Sequence, residues 1–101
     1  MKSVATTRLE LSKVLFGSNH MLSIAVEIAK AAGGEFSVPM LSESTGLPPS
    51  TIHHALERLK SAGLVRRLRR DLDFVVVFER RESLFWAAVL EIEDLGPDAP
   101  W

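Results

Sequence analysis

In the run Pro39-Met40-Leu41-Ser42-Glu43-Ser44-Thr45-Gly46-Leu47-Pro48-Pro49-Ser50-Thr51-Ile52-His53-His54-Ala55-Leu56, one glycine separates two short segments of helical pattern. Ser37-Val38-Pro39 reads as an N-cap followed by proline in the first turn, where a missing N–H costs nothing. This first helix is expected to extend through Ser44. Gly46 then turns the chain, because the backbone there must go left-handed. The second helix opens at Pro48-Pro49-Ser50-Thr51, places Ile52, Ala55, Leu56 and Leu59 on one side, and stops at Gly63. Close packing of such a pair needs a small residue inside the first helix and a branched anchor in the second. Ser42 and Ile52 stand at those offsets, with Leu41, Leu47 and Ala55 as flanking core positions. The pattern is that of a helix-turn-helix unit, with Ser42 where alanine is more usual.

Upstream, a helix is expected over about Thr7 to Leu15, broken by Gly17. A second helix, capped by Ser18 or Asn19, carries the stripe Met21, Ile24, Ala25, Ile28 and Ala32 and ends at Gly33-Gly34. Glu35 to Ser37 is too short for more than one rung of strand. Downstream, Leu64–Arg70 and Asp73–Arg80 read as two strands with Asp71-Leu72 between them. The second is apolar on both faces and is expected to be covered on both sides. Ser83 can cap a last helix carrying Phe85, Ala88, Val89, Ile92 and Leu95, which Gly96-Pro97 ends before a tail closing in Trp101. The fold class is therefore mainly α with a small β-hairpin, in the order α-α-(β)-α-α-β-β-α, and the 101 residues are expected to form one domain.

The junction Arg58-Leu59-Lys60-Ser61-Ala62-Gly63-Leu64-Val65-Arg66-Arg67 runs from a helix through glycine into a basic strand. Here, and over Pro39 to Leu56, the chain resembles the winged helix-turn-helix transcriptional regulators, particularly small ArsR- and MarR-like proteins. The likeness covers roughly Phe16 to Asp94. It implies that the second helix of the unit enters the major groove of DNA. It also implies that the hairpin wing contacts the flanking backbone or minor groove, and that the outer helices make a homodimer.

The residues themselves fit double-stranded DNA as partner. With Ile52, Ala55, Leu56 and Leu59 inward, a step of about 100° per residue puts Ser50, His54, Glu57 and Ser61 opposite, and Thr51, His53 and Arg58 on the flanks. Ser50 and Thr51 can offer hydroxyls and N–H groups to a phosphate. His54 and Arg58 can reach base edges, and His53 is expected to be solvent-exposed or DNA-facing. Glu57 opposes phosphate unless it accepts from cytosine or pairs with Lys60. On the strand, strict alternation groups Leu64, Arg66, Leu68 and Arg70 on one face and Val65, Arg67 and Arg69 on the other. Arg67, Arg69 and Arg70 are the expected wing contacts. The competing reading is that the arginines pair with Asp71, Asp73, Glu79 and the acidic C-terminal helix to shield an edge strand.

The formal charge of −1 hides a polarity: residues 57–70 carry six basic groups and one acidic, whereas 82–101 carry five acidic groups and none basic. Leu9, Val14 and Leu15 at one end and Phe85, Trp86, Val89 and Ile92 at the other supply more apolar surface than so small a core needs, so they are expected to dimerise; completing the monomer core is the plainer alternative. Dimerisation through them predicts a pseudo-palindromic site. There is no cysteine, and His20, His53 and His54 lack ligand spacing, so neither a metal nor another cofactor is expected. No nucleophile stands at recognisable spacing from a base, and no glycine-rich loop follows a strand, so no enzyme is expected. No run is long enough to span a bilayer and the N-terminus has no signal-peptide core; with the missing cysteines this points to the cytoplasm. Any small-molecule effector is unknown from sequence. The other class of function the pattern allows is a winged-helix module that docks a protein through its basic face or its apolar terminal helices.

Overall fold

Gly46, at φ 73°, is where the chain turns between its two central helices, and the rest of the molecule is arranged around that turn. The computed structural model describes Gly17 and residues 20–95. The expected helix over Thr7 to Leu15, the Ser18 and Asn19 caps, and the tail from Gly96 lie outside the described residues. Within them the order is α1 (Met21–Lys30), a 3-10 turn (Ala32–Gly34), β1 (Glu35–Ser37), α2 (Val38–Thr45), α3 (Pro49–Ser61), β2 (Val65–Arg70), β3 (Val76–Arg80) and α4 (Leu84–Leu95).

Helix α1 buries Met21, Leu22, Ile24, Ala25, Val26, Ile28 and Ala29, a wider surface than the expected stripe, because it lies at the centre of the core. Ala32 drops out of that stripe: it falls in the 3-10 turn and is exposed. Ser37 caps α2, its Oγ accepting from the N–H of Met40 at 3.3 Å. The small residue expected inside α2 does more than save space. Ser42 Oγ donates to the carbonyl of Leu47 at 2.6 Å, while Thr45 Oγ1 donates to Leu41 O at 2.6 Å and accepts from the N–H of Leu47 at 3.2 Å. These bonds tie both sides of the turn, which an alanine at position 42 would not. Nothing lies within 4 Å of where a Cβ on Gly46 would stand, so Gly46→Ala meets only the left-handed backbone penalty. We expect it to cost about 1 kcal/mol in urea denaturation.

The three strands form an antiparallel sheet in the order β1-β3-β2. The segment Glu35–Ser37 makes three pairs with β3 rather than one rung, with Phe36 opposite Phe78 and their rings stacked 5.9 Å apart. The hairpin differs from its expected outline. Residues 71–75 form the turn, and β3 starts only at Val76. Phe78 is buried and Val76 and Val77 partly so, but Phe74 stands 77% exposed at the tip, so the second strand is not covered along its expected length. Among the described residues, ion-paired side chains lie over the outer face of the sheet, where a second packed layer was expected.

Leu68 is the residue that breaks the expected alternation. Arg67 pairs with Phe78 and Arg69 with the adjacent Val77, so Leu68 is an extra residue, a β-bulge. Cross-strand partners share a face. Arg67 and Arg70, opposite Phe78 and Val76, therefore lie on the inner side with Val65, while Arg66 and Arg69, opposite Glu79 and Val77, lie on the outer side. The sequence grouping of Arg67 with Arg69 is overturned by that one inserted residue.

Helix α4 starts with Ser83 Oγ accepting from the N–H of Phe85 at 3.1 Å, the expected cap. Trp86 and Val89 are 5% and 1% exposed, and Trp86 Nε1 donates to Arg81 O at 2.9 Å. These two side chains complete the core of the chain itself, the plainer alternative to the dimer surface expected of them. Phe85 and Ile92 are partly buried against the same core.

Candidate nucleic-acid interface

Helix α3 is sorted by its own periodicity. Ile52, Ala55, Leu56 and Leu59 are buried, and anchor it on α2 and β2. Ser50, His53, His54, Glu57, Arg58 and Ser61 are exposed, and Thr51 is half-buried. Pro48 sits at the N-cap position and supplies no side-chain acceptor; Pro49 brings no N–H, and those of Thr51 and Ile52 donate to Pro48 O at 3.0 and 3.3 Å, which leaves the N–H of Ser50 in the first turn without a side-chain cap. Lys60 Nζ lies 3.3 Å from Glu57 Oε2. Glu57 thus has the local cation that the sequence offered it, which reduces the repulsion it would present to a phosphate.

A groove of ≈ 740 Å³ runs between α3 and the wing, with His53, Glu57 and Lys60 on one wall and Arg67, Val76 and Phe78 on the other. Alternation from the buried Val65 puts Arg67 on this wall, and the bulge at Leu68 then turns Arg69 away and Arg70 back. Arg70 follows on the same face toward the tip, its Nη1 donating to Phe74 O at 3.1 Å. The structure therefore brings Arg67 beside His53, Glu57 and Lys60, while Ser50, Thr51, His54 and Arg58 are not among the residues that line the groove.

It places Arg69 elsewhere. Arg69 Nη2 donates to Glu35 Oε1 at 3.0 Å, and Arg66 Nε to Glu79 Oε1 at 2.7 Å. The hydrogen bond donated to Glu35, together with the negative charge there, raises the Arg69 pKa above its ordinary value. Because Glu35 and Glu79 face each other across β1 and β3, the two arginines also relieve a like-charge contact. The shielding alternative thus describes Arg66 and Arg69. Glu79 was among its expected partners; Glu35 was not, since it lies 34 residues from Arg69 and reaches it only through the β1-β3-β2 order.

Sequence reasoning also missed Arg80. Its Nη1 donates to the carbonyls of Ile28 at 3.0 Å and Ala31 at 2.8 Å, closing the C-terminal end of α1. A cation near unsatisfied helix carbonyls is a known signal, but here it comes from a distant strand. No group of three or more His, Asp or Glu residues is placed to hold a metal ion among the described residues. Nor is any helix there long and apolar enough to cross a membrane.

With two helices across a left-handed glycine and a basic hairpin beside them, the chain is a winged helix-turn-helix protein, the fold its sequence resemblance implied. Residues 27–69, from α1 into β2, match the model of the IclR helix-turn-helix domain. The fold is similar to that of the transcriptional regulator BldR from Sulfolobus solfataricus, at 23% identity and a TM-score of 0.63 over 82% of this chain. It is also similar to the reduced form of MarR from E. coli, at 19% identity and a TM-score of 0.62 over 86% of this chain. The chain covers 60% and 62% of the length of those two structures. No curated protein matches it significantly. The motif residues point to the winged helix-turn-helix class and to MarR-like architecture, but not to the IclR type in particular.

Proposed function

We propose that this chain is a homodimeric transcriptional regulator that binds double-stranded DNA sequence-specifically and represses by occupying its site. One observation carries the reading: the His53, Glu57 and Lys60 flank of α3 and Arg67 of the wing border the same groove, with the rest of the exposed face of α3 next to it. With α3 in the major groove, Ser50 and Thr51 meet a phosphate at the helix N-terminus, and His53, His54 and Arg58 reach base edges. Arg67 and Arg70 meet the flanking backbone or minor groove, and Arg69 joins them when phosphate competes with Glu35. Residues 1–101 act as one domain without enzymatic activity, in the cytoplasm alongside the nucleoid. Leu9, Val14 and Leu15, with Phe85 and Ile92 of α4, form the dimer contact. Leu84 and Leu90 of α4, 88% and 36% exposed, extend the available apolar surface.

Selection of bound fragments from the parent genome, followed by a salt titration of the recovered duplexes, tests this reading. Affinity is expected to fall steeply as salt rises, because phosphate contacts release counterions, and the recovered sites are expected to show two-fold symmetry. A pool left unshifted at low salt would falsify it. The exposed leucines of α4 favour one alternative, docking of a partner protein, and that association would hardly respond to salt.

A further inference from the structure

The wing tip holds two large apolar side chains in water: Leu72 is 98% exposed and Phe74 77%. Phe74 has φ 63°, the left-handed region that a bulky residue avoids. A set of hydrogen bonds keeps it there. Asp71 N–H donates to Val75 O at 2.9 Å, and Phe74 N–H to Asp71 O at 3.0 Å. Asp71 Oδ1 accepts from the N–H groups of Asp73 at 2.8 Å and Val75 at 3.0 Å. Arg70 Nη1 grips the Phe74 carbonyl at 3.1 Å. A turn that only had to reverse the chain would place glycine or asparagine at such a position.

We infer that Leu72 and Phe74 form an apolar wedge that enters the minor groove of the duplex, opens a base step and bends the DNA. The inference rests on the DNA-binding reading above, to which it adds an apolar wedge and a distortion of the duplex. The surroundings of the tip select a polyanion as its occupant. Arg67 and Arg70 lie on the strand face leading to it, and both are exposed. With those guanidiniums on the phosphates, the tip lies between the two strands, where only base edges and stacked rings are available. The minor groove, about 6 Å wide, admits side chains from a hairpin tip but not a helix. Phe and Leu are residue types that unstack a base step when driven in from that side. Local strain of the kind seen at Phe74 persists where surrounding bonds over-determine it. Asp71 turns one carboxylate oxygen to two backbone N–H groups and keeps its charge, so Asp71 and Asp73 are the carboxylates that oppose phosphate at the tip, set against Arg67 and Arg70.

The guanine 2-amino group projects into the minor groove and obstructs a wedge there. The test uses a mixed-sequence duplex library in two forms, one with guanine and one with inosine in its place. Inosine removes that amino group and leaves the major-groove pattern unchanged. Wild-type protein is expected to bind the inosine form roughly three- to tenfold more tightly and to draw fluorophores at the duplex ends together. The Leu72→Ser, Phe74→Ala double variant is expected to bind roughly five- to thirtyfold more weakly, to treat both forms alike and to leave the ends apart. Asp73→Asn is expected to tighten binding. Phe74→Gly separates function from folding: it relieves the strained φ, so the melting temperature rises by a few degrees, yet the bend is lost. Equal affinity of wild type for the two forms, or a bend retained by the double variant, overturns the wedge and leaves the DNA-binding reading standing. Failure to bind either form overturns both.

Discussion

Replacing Arg67, Arg69 and Arg70 together by alanine is expected to weaken binding to every duplex by on the order of a hundredfold at moderate salt, and to flatten the salt dependence by about one unit of log–log slope for each phosphate no longer neutralised. The three single variants are not expected to share that loss equally. Arg67 lines the groove beside α3 and Arg70 shares its strand face, whereas Arg69 already holds Glu35 at 3.0 Å on the other side of the sheet. A phosphate recruiting Arg69 must displace a partner that a phosphate recruiting Arg67 need not. Arg69→Ala is therefore expected to cost the least of the three. Glu35→Gln, which loosens the Arg69 guanidinium, is expected to tighten binding slightly instead. His54→Ala and Arg58→Ala are expected to change which sequences are preferred, because the proposed contacts are to base edges rather than phosphates. Affinity measured across a range of salt for each variant distinguishes these outcomes. A triple variant whose slope matches the wild type would remove the wing from the interface.

That ranking is not legible in the sequence, and the reason is a single residue. Parity along a strand decides which arginines share a face, and Leu68 shifts parity by one without any glycine or proline to announce it. The helix-turn-helix is legible because its signals are local: the Ser37 cap, the glycine at position 46, and the spacing of Ile52, Ala55, Leu56 and Leu59 all act within one turn of where they stand. The exposed face of α3 follows from the same spacing. What depends on distant chain does not. Glu35 finds Arg69 through an intervening strand, and Trp86 and Val89 look like surplus apolar surface until α1 is seen to need covering. Phe74 reads as strand interior because Val75, Val76 and Val77 follow it, but the hydrogen bonds of Asp71 extend the turn three residues further along.

Arg80→Met is expected to destabilise the fold by about 2–3 kcal/mol, since it removes a charged donor from two backbone carbonyls. The methionine preserves the aliphatic stem, so the loss reports the guanidinium rather than its packing. Both carbonyls lie where α1 ends: Ile28 O also accepts from the N–H of Ala31 at 3.1 Å, and Ala31 O from the N–H of Gly34 at 3.1 Å. The Arg80 stem and guanidinium pass over Gly34, 3.6 Å from where a Cβ there would stand. Helix α1 is the most buried helix among those described, and α3 packs on it, so loosening its end is felt throughout the core. For a domain of this size the melting temperature should fall by roughly 8–20 °C, readable by calorimetry or far-ultraviolet circular dichroism. Arg80→Lys is expected to recover only part of the loss, because the ammonium can donate to two carbonyls but its stem ends one bond short of the Nη1 position. The neighbouring Arg81→Met is the control. Arg81 is exposed, and its backbone carbonyl, which accepts from Trp86 Nε1, survives the substitution. A melting temperature for Arg80→Met within a degree or two of the Arg81→Met value would mean that the carbonyls at the end of α1 are satisfied by water instead.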